Sequence, residues 1–337
     1  LAWIGALAML TVGALHALIT NSAVTFCVDT LGLTHVLVLP TSASTAIVVA
    51  LLVPTAAITV RTGWRVGKTL NSTRRANREH AEAVRSAATS GKPFHFTSTG
   101  EGRTVDSHNV VGILPGRTDE YILLTCHHDA PFASAVEDAS GLSVLLALAE
   151  AFARSTEPLE RGLVFLASSG HFHGGIGCRE FVGKHRGGLL EKIVAAIGVE
   201  HIGEEAQGDG SGGYAKTGQA ETRALFVDKT PELLRVLEEE VQRVNLSRTL
   251  GVDAYLFGSE PPCDSAPFFT AGIPSVCHIS GPLYLFDPHD TIDMVRQEDL
   301  PKVAELFYRV IRRIDSIPAS DLAKGTTRQR NDPPADP

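Results

Sequence analysis

The segment Thr125-Cys126-His127-His128-Asp129-Ala130 sets two imidazoles and a carboxylate at the end of an apolar run. A His-x-Asp of this kind can act as ligand plus orienting group, with His127 binding metal through one ring nitrogen and Asp129 fixing its tautomer. Glu137 and Asp138 follow, just ahead of Ala139-Ser140-Gly141 and a helical pattern. In isolation such carboxylates read equally well as helix caps. Farther on, Ser169-Gly170-His171-Phe172-His173-Gly174-Gly175 carries two imidazoles on a glycine-rich loop, Glu200-His201-Ile202-Gly203 closes another apolar run, and Phe286-Asp287-Pro288-His289-Asp290-Thr291 leads into a last helix. Any one group has a plain structural use. Five of them recurring at successive strand ends point to a shared metal site, and mixed imidazole and carboxylate ligation suits zinc or another divalent first-row ion.

The elements that must position these residues alternate. Short β-like runs lie at 110–114, 121–126, 163–167, 193–202 and 273–279, and amphipathic helices at 140–154, 231–245 and 300–314. In the first helix the apolar positions include Leu142, Leu145, Leu146, Ala149 and Phe152. Near-continuous apolar strands joined by helices predict an α/β fold, a three-layer α/β/α sandwich around a mostly parallel mixed sheet, with ligands bound beyond the strand ends.

Two stretches ahead of this domain, 2–19 and 36–60, contain no Asp, Glu, Lys or Arg, and the second is long enough for a bilayer-spanning helix. They predict two transmembrane helices within a membrane anchor over 1–62; a basic linker helix over 63–92, the α/β domain over 93–318 and a disordered polar tail over 319–337 follow. Arg61, Arg65, Lys68, Arg74, Arg75 and Arg78 follow the second stretch, whereas the loop between the two holds only Asp29. This asymmetry predicts a cytoplasmic domain, with an outward-facing one as the alternative. The net charge of −8 argues against nucleic acid as a partner. The cysteines Cys27, Cys126, Cys178, Cys263 and Cys277 lack any C-x-x-C spacing and read as small core residues.

Over 109–314 the chain resembles metallopeptidase family 28, the family of zinc aminopeptidases, aminopeptidase Y and the glutamate carboxypeptidase II relatives. The resemblance rests on Asn109-Val110-Val111-Gly112-Ile113-Leu114-Pro115-Gly116, His127-x-Asp129, Ala139-Ser140-Gly141, Gly177-Cys178, Asp264 followed by Phe268, Gly272, Ile273 and Pro274, and Asp290-Thr291. It implies a zinc-peptidase-like fold and a site of two zinc ions held by a His, a bridging Asp, a Glu, a second Asp and a final His, with a neighbouring Glu as base. His127 matches the first His and Asp129 its companion, Glu137 stands for the bridging Asp, and Glu200 for the second Asp. His171 and Phe172 occupy the places of the two consecutive glutamates, and Phe286 that of the final His.

With the two apolar stretches read as an anchor, the resemblance implies a membrane-anchored metallopeptidase hydrolysing an amide of a peptide or small molecule, as an aminopeptidase does, with a metal-activated water. Its metal ligands would come from His127, Glu137, Glu200, one of His171 or His173 and one of Asp287 or His289, and would hold one or two zinc ions or another divalent metal. His171, Glu204 or Glu205 would serve as the base. A metal-free, peptidase-like binding or regulatory protein is the competing reading. The sequence does not set an oligomeric state.

Overall fold

The computed structural model describes residues 101–256 and 260–326, together with residues 83, 86, 89 and 90. The two apolar stretches predicted to span a membrane lie outside the described residues. Among the described residues, no helix is long and apolar enough to cross a membrane.

Seven strands form the central sheet: β1 (Val110–Leu114), β2 (Tyr121–His127), β3 (Gly162–Ser168), β4 (Ile193–Val199), β7 (Arg223–Val227), β8 (Thr249–Asp253) and β9 (Ser275–Ser280). Their order is β1-β3-β2-β4-β9-β7-β8, and β5 (Glu204–Gly208) pairs with β6 (Tyr214–Ala220) in a separate hairpin. β3, β2, β4 and β9 run parallel. β1 is antiparallel to β3 and β7 to β9, which makes the sheet mixed, as expected.

Alternation along β2 divides the core. Ile122, Leu124 and Cys126 pack on one face with α1 (Gly141–Ala153), α3 (Pro231–Arg243) and α5 (Leu300–Ile314), while Leu123 packs on the other with α2 (Ile176–His185) and α4 (Ala266–Thr270). Successive strand side chains point to opposite faces, so a strand covered on both sides is apolar throughout. α1 buries Val144, Leu145, Leu148 and Phe152, and Leu146 is exposed. The four cysteines among the described residues are free and buried, as core thiols are.

The polar tail begins differently from its sequence reading. Ala319–Leu322 forms a further short helix, α6, and Leu322 is fully buried in the core on the α5 side. One well-placed leucine anchors a segment too short to show any apolar period. The strand expected over 193–202 ends at Val199, and Glu200 and His201 lie beyond it.

Candidate metal centre

The sheet order sets β3, β2 and β4 side by side, so whatever follows their carboxyl ends must meet. His127 is the last residue of β2, His171 follows β3, and Glu200 and His201 follow β4. Glu137 and Asp138 enter from the loop after β2, and Asp264 from the turn before α4. His127, Glu137, Asp138, His171, Glu200, His201 and Asp264 are all buried.

The loop carrying Glu137 is clamped at both ends. The Asp290 carboxylate accepts the backbone N–H groups of Val136 (2.7 Å) and Glu137 (3.0 Å). Ser140 Oγ donates to the Val136 carbonyl (2.9 Å) and accepts from the Ile202 N–H (2.8 Å). Gly141 lies so close to β4 that a Cβ there would come 2.2 Å from the Val199 carbonyl oxygen. The Ala139-Ser140-Gly141 run is thus a packing requirement that aims Glu137 inward; Glu137 is a component of the cluster and not a surface cap.

Glu137 is the hub. Its Oε1 lies 3.2 Å from Nε2 of His127 and 4.0 Å from Nε2 of His171, and its Oε2 lies 2.5 Å from Nε2 of His201. Asp138 Oδ2 is 3.9 Å from Nε2 of His127, and Glu200 Oε2 is 3.9 Å from Nε2 of His201. These contacts fall outside hydrogen-bond geometry. Nε2 of His127 and His201, both Glu137 oxygens, Asp138 Oδ2 and Glu200 Oε2 are buried with no hydrogen-bond partner. A group left in that state costs about 1–3 kcal/mol, and so many converging on one point is the arrangement of a cation site. Two sets of three residues could hold an ion here: His127, His171 and Glu200, or His127, Glu137 and His201. A third set, Glu200, Cys263 and Cys277, shares the carboxylate. The imidazole and carboxylate donors fit zinc.

Electrostatics tells the same story. Burial lowers His127, but its contact with Glu137 and the charges of Asp138 and Asp264 hold it well above the ordinary imidazole range. Burial likewise lowers His201, and Glu137, Asp138 and Glu200 push it up to about 10. Burial raises Glu137, yet His201 and His127 bring it well below the usual carboxylate range. Asp138 and Glu200 move up, chiefly by burial. Without metal, imidazolium protons offset the carboxylate charge, a task a divalent ion would take over.

His171 has a second partner. Its Nδ1–H donates to Asp264 Oδ1 (2.7 Å), and Ser168 Oγ–H donates to Asp264 Oδ2 (2.7 Å). Burial raises the Asp264 carboxyl, but His171 overcomes it and holds the group at about 2. An imidazole so oriented turns Nε2 toward the cluster.

Several expected residues are placed elsewhere. Asp129 orients His127 through its backbone: Nδ1–H of His127 donates to the Asp129 carbonyl oxygen at 2.9 Å, and the carboxylate is 3.8 Å away. The Asp129 carboxylate instead accepts the His171 N–H (3.3 Å). His173 is exposed, because the tight turn over 171–173 points the two imidazoles apart. Asp287 and His289 bind each other (2.5 Å), with the Tyr214 hydroxyl donating to Asp287 (3.3 Å), and neither joins a candidate ligand set. Glu204 pairs with Arg296 (2.7 Å) and Glu205 with Arg248 (2.5 Å), so neither faces the cluster as a base.

His201 and Asp264 are the members that ligand assignment by sequence left out. The signal for His201 was its place one residue past Glu200 at a strand end; Asp264 offered none beyond its motif. Phe172 and Phe286 stand edge to face with centroids 5.6 Å apart, and Phe172 also meets the rings of His127 (5.7 Å) and His171 (5.2 Å) edge-on.

Proteins of known structure share this fold. An aminopeptidase from Aneurinibacillus sp. strain AM-1 superposes with a TM-score of 0.50 at 20% identity, over 69% of this chain and 55% of that one. A peptidase M28 precursor from Shewanella amazonensis gives 0.50 at 17%, over 70% and 51%. A zinc aminopeptidase from Bacillus subtilis gives 0.49 at 18%, over 63% and 52%. The chain thus spans about half the length of these structures, and at such identities the first two speak to the fold alone. A comparison with curated protein sequences gives no match. The sequence model of peptidase family M28 matches residues 109–311, more than half of the chain, and the chain belongs to that family.

Proposed function

We propose that this protein is a metal-dependent hydrolase of peptide amide bonds, acting in the aminopeptidase manner with a single zinc or other divalent ion. The observation that carries the proposal is the buried, converging set of ligand atoms on His127, Glu137, Glu200 and His201 that lack hydrogen-bond partners. Family membership supports a peptide substrate. His127, Glu137 and a third donor from the end of β4 would hold the ion. Bound there, the ion supplies Lewis-acid polarisation of the scissile carbonyl and acidifies water. His171, held by Asp264 at Nδ1, is placed to take a proton at Nε2 and return it to the leaving amine. Phe172 and Phe286 fill the two other ligand places of the family pattern with apolar rings, and this favours one ion over two.

The competing reading is a metal-free binding module. It is favoured by the full burial of His127 and Glu137 together with the aromatic cover beside them. Metal analysis of the purified protein and hydrolysis of aminoacyl anilides decide between the two. One zinc per chain and turnover, both lost in His127→Ala, support the hydrolase; a metal-free, inert protein refutes it.

We further infer that residues 2–19 and 36–60 anchor the domain to a membrane, and that the basic cluster over 61–78 places it in the cytoplasm. Labelling of an engineered cysteine within 327–337 by an impermeant reagent in intact cells would overturn that orientation.

A further inference from the structure

We propose that His201, and not Glu200, is the third metal ligand, so that His127, Glu137 and His201 form the ion's tripod. This rests on the reading that the cluster holds a divalent metal and concerns which residues hold it. The resemblance points to Glu200. The geometry points to its neighbour.

Three observations carry the assignment. The first is how His201 is held. Its φ of +53° is unusual for a residue with a side chain, and the conformation is fixed from three sides. The His201 N–H donates to Asp138 Oδ1 (3.2 Å), Ser280 Oγ–H donates to the His201 carbonyl (2.6 Å), and the ring Nδ1–H donates to the Ser280 carbonyl (2.7 Å). Backbone strain so thoroughly over-determined is a feature of functional positions. A carbonyl can only accept, so Nδ1 bears the proton and Nε2 is turned to the cluster. His127 is arranged identically, with Nδ1–H on the Asp129 carbonyl. Ligating histidines are tethered in this way by their second nitrogen.

The second observation concerns Glu137, whose two oxygens divide between the two imidazoles, Oε1 toward His127 and Oε2 toward His201. The third excludes the alternative. The rings of His127 and His171 stack with centroids 3.9 Å apart and planes 17° from parallel. An imidazole binds metal in its ring plane, and two nearly parallel planes do not meet at one ion, so the set of His127, His171 and Glu200 cannot close. One oxygen of Glu200 is also committed elsewhere: Oε1 accepts the Asp264 N–H at 2.7 Å, anchoring the turn before α4, which leaves only Oε2 on the cluster side. Two imidazoles and one carboxylate leave a tetrahedral zinc its fourth position.

The test is zinc binding by the full-length protein in detergent, stripped of metal and titrated against a chelator. His201→Asn is the informative variant, because Asn tolerates positive φ and offers an amide N–H toward Ser280 but has no counterpart of Nε2. We expect it to bind zinc more than about 100-fold more weakly than the parent, beyond the 10–100-fold typical of outer-shell changes. Glu200→Gln, which keeps the acceptor for Asp264, should lose less than about tenfold, below that same range. Ring-nitrogen NMR of the unmutated protein covers the case in which a variant misfolds: zinc should shift Nε2 of His127 and His201. Parent-like affinity in His201→Asn, a larger loss in Glu200→Gln, or an unmoved His201 Nε2 each overturns the assignment. Zinc held by His201 in a protein without hydrolytic activity would sink the functional reading and leave this one standing. A parent protein that binds no zinc sinks both.

Discussion

Two sides of the same cluster differ in kind. On the side built by the ends of β2 and β4, His127, Glu137 and His201 are polar, buried and tightly tethered. On the side built by the loop after β3 and the turn before α5, Phe172 and Phe286 present rings to each other. The contrast teaches that metal affinity and metal number are separable. On the proposed reading, tethered donors on one side hold one ion, whereas a second would need donors where rings now stand.

The strongest way to break this comparison is His127→Ala, which removes a nitrogen common to both His-containing ligand sets. Elemental analysis should find zinc reduced from one per chain to none, with hydrolysis abolished and the apo fold intact. If zinc remained, the polar side would not be the metal site. Next in size is Asp264→Asn, which removes the negative charge paired with the His171 ring. Turnover should fall by about 100-fold, the lower bound of what a positioned base contributes, at unchanged zinc content. A loss of zinc would show that His171 serves the metal instead.

A third test uses pH. His201 sits at about 10 against an ordinary 6.5, so its proton must leave before Nε2 can bind an ion. Apparent zinc affinity should therefore rise with pH, about tenfold per unit for each proton displaced, and level off near the folded-state value. The metal-free protein should show the reverse. A raised imidazole contributes stability that is fully present below the unfolded value near 6.5 and is lost as pH climbs through about 10. Its melting temperature should decline across that window, and an unchanged one would contradict the charge pairing.

Replacing the aromatic side sharpens the comparison further. Phe172→Glu combined with Phe286→His should raise zinc from one to two per chain; a count of one would mean that the rings are not what limits it. The smallest effect belongs to the last short helix. Leu322→Ala should cost about 2–3 kcal/mol in denaturant unfolding and leave zinc affinity unaltered, because α6 packs against α3 and β4 and contributes no residue to a candidate ligand set.

Much of this was legible in the chain. Apolar runs bounded by His127, Glu200 and the loop of His171 announced strands whose ends carry chemistry, and 110–114 and 300–314 coincide with the observed β1 and α5. Sequence periodicity determines such elements because burial on one face or two is a local pattern. The choice among neighbouring donors was not local. His171 and His173 are two residues apart, yet one is buried and the other exposed, and the turn between them decides which. Asp287 and His289 satisfy each other, and Asp264 reaches His171 across 93 positions of sequence. The ring of His201 is aimed by a backbone angle and by a carbonyl on β9, 79 residues away. Residue types fixed which atoms could bind a metal; only the adjacency of β3, β2 and β4 and the rotation of each tethered ring decided which of them meet, because ligation demands convergence within a few ångströms and that is a property of the packed sheet.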